Sequence, residues 1–133
     1  MKWSVGESAS LSRVIDDKVI HLFAEAVGDT NPVHLDEDAA AHSIFGRRIA
    51  HGMITASLVS AVLGTQLPGP GSIYMNQSLR FVAPVYIGEE ITATVTITAI
   101  RSDKPILTLD TTVTKTGGQV VMEGEATILY KGQ

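Results

Sequence analysis

Between Ile49 and Leu79 the chain carries no Asp, Glu, Lys or Arg, and this uncharged stretch constrains the fold more than any other feature. Within it, Met53 to Leu67 reads as a helix that is apolar or small on every side. A helix with no polar face is buried, either in a protein core or in a membrane. This one is shorter than the roughly 20 residues that span a bilayer, and it carries Thr55, Ser57, Ser60 and Thr65. The expectation is a central helix enclosed by the rest of a globular domain. Gly52, Ala56, Ser60 and Gly64 recur every four residues and share one of its faces. Small residues there admit a neighbouring backbone or a slim ligand, and packing against a sheet is expected for Ala56 and Gly64. Ser60 differs, because a buried hydroxyl needs a partner.

The segments preceding this helix carry the candidate chemistry. His51-Gly52 stands where the helix begins, so the first-turn amides there have no intrahelical partners. Such an end attracts negative charge and would stabilise charge developing on a carbonyl oxygen placed against it. Upstream, Gly28-Asp29-Thr30-Asn31-Pro32-Val33-His34 sets a carboxylate and an imidazole on either side of a stiff turn. Gly28 can end the preceding helix in a left-handed conformation, and Pro32 forces Asn31 out of the helical region. Asp29 and Asn31 can tie their side chains to nearby amides. Alone, the motif suits a helix stop with Asx-turns as well as it suits an acid/base pair. The buried helix entered at His51-Gly52 favours the pair, and the carboxylate or imidazole of the turn is a candidate partner for Ser60.

Composition narrows the function. A chain of 133 residues is expected to form one domain, residues 1–133, with a sizeable core. The net charge of −4, without a Lys/Arg cluster, argues against nucleic acid as a partner. The absence of cysteine removes disulfides, thiolate metal sites and thiol nucleophiles. Met1 to Ser8 has one Lys and no apolar run, so no signal peptide is visible and a cytoplasmic location is expected. His34, Asp38 and His42 stand at spacings of four, like a metal stripe. Pro32 and a cap at Asp36 place His34 ahead of that helix, however, so the stripe breaks and no metal is expected. His21 is expected at the surface, and His51 is expected to be a structural group at the helix start.

The rest of the chain divides into helices first and strands afterwards. Ala9 to Val14 suggests a short strand. Asp16 can cap a helix to about Val27, with Val19, Ile20, Phe23, Ala24 and Val27 on one face. Asp36 can cap a short helix through Ala41, and Ser43 to Ala50 forms a loop. Leu67-Pro68-Gly69-Pro70-Gly71 ends the central helix. Beyond it the period becomes two: Ile91, Ala93, Val95, Ile97 and Ala99 alternate with Thr92, Thr94, Thr96 and Thr98. Ser72 to Val82, residues 106–116 and residues 119–130 complete four long antiparallel strands, the last two joined at Gly117-Gly118. The fold class is α+β, an antiparallel sheet curved around one long helix.

These segments together resemble the (R)-specific enoyl-CoA hydratases of the MaoC-like, hot-dog-fold group, over nearly the whole chain. The resemblance rests on Asp29-x-Asn31-Pro32-x-His34, His51-Gly52-Met53 and Leu67-Pro68-Gly69-x-Gly71-Ser72-Ile73-Tyr74. Gln77-Ser78-Leu79-x-Phe81 with Pro84-Val85, and Asp103-Lys104-Pro105-Ile106, follow in the same order. Val27 departs from the small or hydroxylated residue common in the family before the Gly-Asp pair.

The resemblance implies reversible syn addition of water to a trans-2-enoyl-CoA, giving an (R)-3-hydroxyacyl-CoA. It implies that Asp29 and His34 hold and activate the water, and that the Gly52 amide binds the thioester oxygen. Asn31 would fix the turn and Ser60 would orient the catalytic pair. Leu58, Val62 and Leu63 are expected to line the acyl pocket. Arg47 and Lys104 are candidates for the CoA phosphates, with Arg48 and Arg80 as further ones. No cofactor is implied, CoA being part of the substrate, and a homodimer paired edge to edge is expected, with no membrane partner. Three rivals remain: a (3R)-hydroxyacyl-ACP dehydratase, a hot-dog thioesterase, and a non-catalytic acyl-CoA-binding subunit.

Overall fold

The helices and strands of the computed structural model, which describes residues 2–131, follow from local signals read in order. β1 (Ser8–Val14) leads to α1 (Asp17–Val27). Asp16 caps α1 by accepting a hydrogen bond from the Val19 amide at 3.0 Å. Gly28 closes it at φ 80°, its own amide donating to the Ala24 carbonyl, a conformation that only glycine adopts cheaply. Two short helices follow, α2 (Pro32–Leu35) and α3 (Glu37–Ala41), then the central helix α4 (Gly52–Thr65). β2 (Ser72–Gln77), β3 (Arg80–Phe81), β4 (Glu90–Ile100), β5 (Ile106–Lys115) and β6 (Val120–Tyr130) complete the chain.

All six strands form one antiparallel sheet in the order β1-β4-β5-β6-β2, with β3 also paired to β6. The sheet packs against α4, the hot-dog arrangement. Period-two alternation explains its two faces. Ile91, Ala93, Val95 and Ile97 of β4 and Leu107, Leu109 and Val113 of β5 are sealed from solvent and meet Val59, Val62 and Leu63 in one core. The intervening threonines face outward, where Ser12 and Thr92 hydroxyls pair at 2.6 Å across β1 and β4.

Two expectations are corrected. The strand expected over Ser72–Val82 is two strands, because the chain lifts over β6 at Ser78. Its amide donates to the Glu125 carbonyl, and its hydroxyl accepts the Glu125 amide at 2.9 Å. The lift brings the Ser78 carbonyl so close to Gly124 that a Cβ there would sit 1.9 Å from that oxygen. The second correction concerns α4, which is not enclosed on every side. Ile54, Thr55, Ala56, Leu58, Val59, Val62 and Leu63 are buried, while Met53, Ser57, Ser60 and Gly64 form an exposed stripe. Gly64, expected to pack on the sheet, has nothing near the place of its missing Cβ. The sheet curls around one side of the helix only. Among the described residues no helix is long and apolar enough to cross a membrane.

Candidate active site

Gly28 turns the chain out of α1 and starts a run of side-chain-to-backbone bonds. Asp29 Oδ1 accepts the Asn31 amide at 3.3 Å, and Asn31 Oδ1 accepts the Val33 amide at 3.2 Å. Asn31 sits at φ −53°, ψ 125°, the extended conformation that a following proline imposes. Pro32 then begins α2 at the position where its missing N–H costs nothing. One turn of helix suffices to swing His34 inward, leaving it 8% exposed. Asp36 ends α2 and caps α3, accepting the amides of Asp38 and Ala39. The turn expected from the sequence is present, with His34 in a helical turn of its own.

The imidazole orientation is set by its neighbour in space. His34 Nδ1 lies 2.8 Å from the Ile49 carbonyl, so Nδ1–H donates and the Nε2 lone pair is free to accept a proton. His51, buried at 2% exposure, stacks on His34 with ring centroids 3.9 Å apart and planes at 28°. Its Nε2–H donates to the backbone carbonyl of Asp29 at 3.0 Å, and its Nδ1 is buried without a partner among the described residues. His51 therefore fixes the turn from beneath, the structural part expected of it. Asp29, His34 and His51 each bring a potential ligand atom within 4.8 Å of the others. A metal ion must lie in the plane of each imidazole to meet its lone pair. Two rings stacked face to face offer no such common point, so the cluster suits proton transfer better than coordination.

Gly52 begins α4 beside them. His51 is its N-cap and provides no side-chain cap, which leaves first-turn amides for a ligand. Asp29, His34, His51 and Gly52 share a hollow of 530 Å³ with Phe23, Val27, Met53, Ser57 and Phe81. The carboxylate, the free imidazole nitrogen and the helix terminus thus converge on one mostly apolar space, with His34 and Asp29 able to hold one water and the helix end able to receive an anionic oxygen.

Other expected residues lie elsewhere. Ser60 is exposed and borders a neighbouring hollow with Met53, Tyr74 and Met75. It stands eight residues beyond Gly52, about 12 Å along the axis, and Ser57 is the serine that lines the Asp29/His34 hollow. Ser57 donates to the Met53 carbonyl at 2.6 Å. Leu58, Val62 and Leu63 are buried core residues, and none of them lines the Asp29/His34 hollow. Phe23, Val27, Met53 and Phe81 supply its apolar wall instead. Phe81 bore only on the family resemblance, and its ring lies against Gly52. Arg47 is exposed, with its guanidinium 3.9 Å above the Tyr86 ring. Arg48 is buried and ion-paired, which removes it as a phosphate ligand. Arg80 pairs with Glu123 at 3.7 Å, and Lys104 sits on the exposed β4–β5 turn, outside the lining of the hollow. The sequence's metal stripe is indeed broken: His42 Nδ1 binds the Asp38 carbonyl on α3 while His34 points inward from α2.

Comparison with known proteins places this geometry in a family. The chain matches the MaoC like domain over residues 5–119. It is 55% identical to an (R)-specific enoyl-CoA hydratase of Rhodospirillum rubrum over 93% of this chain and 85% of that protein. With an (R)-specific enoyl-CoA hydratase of Aeromonas caviae it shares 49% identity over 93% of this chain and 92% of the relative. A solved structure described as the (R)-hydratase from A. caviae involved in PHA biosynthesis superposes with a TM-score of 0.94 at 47% identity, over 97% of this chain and 98% of that one. From the Asp29/His34 turn to the helix wrapped by its sheet, this chain belongs to the MaoC-like domain family.

Proposed function

We propose that this chain hydrates trans-2-enoyl-CoA thioesters reversibly and syn, giving (R)-3-hydroxyacyl-CoA. The observation that carries the reading is the convergence of Asp29, the free Nε2 of His34 and the uncapped start of α4 on one hollow. The high identity to (R)-specific enoyl-CoA hydratases supports the substrate class.

A water held between the Asp29 carboxylate and His34 Nε2 attacks C3 of the conjugated thioester as its proton passes to the pair. The C2–C3 π electrons move towards the thioester carbonyl, and its oxygen gains negative charge opposite the Gly52 amide. The pair returns a proton to C2 on the same face, which completes the addition and restores the carbonyl. Every group required is a side chain, a backbone amide or the substrate, so the mechanism uses no cofactor. Asn31 holds the turn through the Val33 amide. Arg47, exposed and pinned on Tyr86, is a phosphate-binding candidate four residues before His51. The chain works as a homodimer in this reading. Support comes from the exposed stripe on α4 and from β2, an edge strand whose Ile73, Tyr74 and Met75 are half exposed. Unpaired strand edges of this kind are templates for pairing with another chain.

The test is ultraviolet loss of the conjugated thioester with crotonyl-CoA and octenoyl-CoA, for wild type, Asp29→Asn and His34→Ala, followed by chiral analysis. Formation of the (R) product, lowered about 100- to 10,000-fold in folded variants, is expected from removal of a general base. Hydration that survives both substitutions would overturn the mechanism. Activity confined to acyl-carrier-protein thioesters would move the substrate class to the rival dehydratase, and thiol release without hydration would move it to the thioesterase.

A further inference from the structure

Arg48 is the most deeply buried cationic side chain of the described residues, at 7% exposure, and nothing in the chemistry above uses it. Its planar guanidinium reaches three elements at once. Nε donates to the His34 carbonyl at 2.7 Å, Nη2 to Asp17 Oδ1 at 2.6 Å and Nη1 to Glu37 Oε1 at 3.3 Å. Asp17 begins α1 and Glu37 begins α3, and both carboxylates are largely exposed while the guanidinium is not. The charge is therefore held inward, towards the His34 backbone, by acids reaching over it from the surface.

The segment that carries Arg48 touches His34 at every level. The Ile49 carbonyl accepts from His34 Nδ1, the Ile49 amide donates to the Val33 carbonyl at 3.4 Å, and the His51 ring stacks on the imidazole. That segment is itself anchored: the Ala50 amide donates to the Val85 carbonyl at 2.7 Å, and Ile49 bridges to Tyr86. A four-residue helix such as α2 has too few internal bonds to hold its own orientation, and the carbonyls of its last turn need outside donors. Arg48 supplies one of them, at the residue whose imidazole must point at the water.

We propose that Arg48 is a positioning residue for catalysis, which locks the backbone of His34 so that its Nε2 keeps the aim required for proton transfer. The proposal rests on the reading of His34 as a catalytic base. A lysine ammonium carries all three of its N–H groups on one nitrogen at the end of a flexible stem, whereas the guanidinium presents Nε to the His34 carbonyl and two further nitrogens to the acids from one rigid plane.

The experiment measures steady-state hydration of crotonyl-CoA by wild type, Arg48→Met, Arg48→Lys, the double variant Asp17→Asn/Glu37→Gln, His34→Ala and His34→Ala/Arg48→Met. Circular dichroism and melting establish that each is folded. Arg48→Met should lower kcat about 10- to 100-fold with KM changed less than about twofold, since a misplacement of about 1 Å costs on the order of 100-fold. Arg48→Lys should recover less than about threefold of that loss, because it restores charge without the fork. The Asp17/Glu37 double variant removes the acidic charges but keeps an amide oxygen at each position to accept from the fork, with the Nε bond to His34 intact, and should stay within about threefold of wild type. In the His34→Ala background, removing Arg48 should cost less than about twofold, because there is no imidazole left to aim. A folded Arg48→Met or Arg48→Lys enzyme with wild-type kcat overturns the proposal, as does an equal loss in both backgrounds. Should Arg48→Met fail to fold, Arg48→Lys decides. Wild-type activity in His34→Ala overturns the catalytic reading itself, a result distinct from all of these.

Discussion

Adding a single methyl group at Gly52 separates stability from catalysis at this site. Gly52 has no positive φ, so alanine meets no backbone obstacle there. Its Cβ would lie 3.0 Å from Phe81 Cε1, 3.3 Å from Cδ1 and 3.4 Å from Cζ. Carbon contacts settle at about 3.5–4.0 Å, so the ring must retreat by about 0.5–1 Å. Phe81 is 52% exposed and has room to do so. Alanine favours the helix over glycine by about 0.5–1 kcal/mol, which offsets the lost contact and leaves net stability within about 1 kcal/mol. Catalysis has no such compensation. The methyl and the displaced ring both face the hollow that holds Asp29 and His34, beside the amide assigned to the thioester oxygen. A shift of about 1 Å in the bound thioester costs about 100-fold, equivalent to about 2.7 kcal/mol on the barrier. The assay pairs kcat/KM on crotonyl-CoA with urea unfolding of Gly52→Ala. A variant as stable as wild type whose kcat/KM stays within threefold would refute docking of the thioester at this helix end.

Gly124→Ala should act in the opposite sense, on stability above all. With the Ser78 carbonyl 1.9 Å from the new Cβ, the crossing chain must lift by more than 1 Å and lose its two bonds to Glu125. Those bonds contribute about 0.5–1.5 kcal/mol each and the strain about 1–3, so denaturant unfolding should show a loss of about 2–6 kcal/mol; a change below about 0.5 would refute the close approach. A separate expectation concerns acid. The hydrogen bond from Arg48 holds the Asp17 carboxyl below the usual carboxylate range, against a smaller opposing effect of desolvation. Its stabilising contribution is thus present above about pH 4 and fades as pH falls through the lowered pKa. Asp17→Asn should flatten the fall in melting temperature below about pH 4, and an unchanged curve would show that the pair adds nothing.

Much of this architecture could be read along the chain where the signal is local. Asp16 and Gly28 delimit α1 because capping depends on a few adjacent residues. The alternation of Ile91 to Ala99 with threonines marks β4 for the same reason, and the Asp29–His34 turn forms from its own Asx bonds and proline. What no local signal carries depends on residues far apart. Apolar composition shows that α4 needs burial but not from which side the sheet approaches, so it reveals neither the open stripe at Ser57, Ser60 and Gly64 nor the core placement of Leu58, Val62 and Leu63. The break at Ser78 had one local signal, the lone Gly124 in a strand pattern, which marks a close backbone approach. Arg48 had none. Its burial depends on Asp17, Glu37 and the His34 carbonyl, which come together only after three helices have packed.

The pairing of β1 with β4 ties Ser8 to Thr96 and Val14 to Glu90, and Ile15 and Glu89 continue the tie by a backbone bond. Every residue assigned to the chemistry therefore lies on an excursion whose two ends meet at that ladder, while β4, β5 and β6 follow as an uninterrupted meander. The entropy of closing such an excursion grows only logarithmically, about 0.6 kcal/mol for each doubling of its length. Extra residues in the exposed loop around Ile44 would thus carry little thermodynamic penalty and disturb no rung of the sheet. The fold divides evolvability unequally: an insertion within a strand of the meander shifts its register, and the excursion that carries Asp29, His34 and Gly52 is free to lengthen.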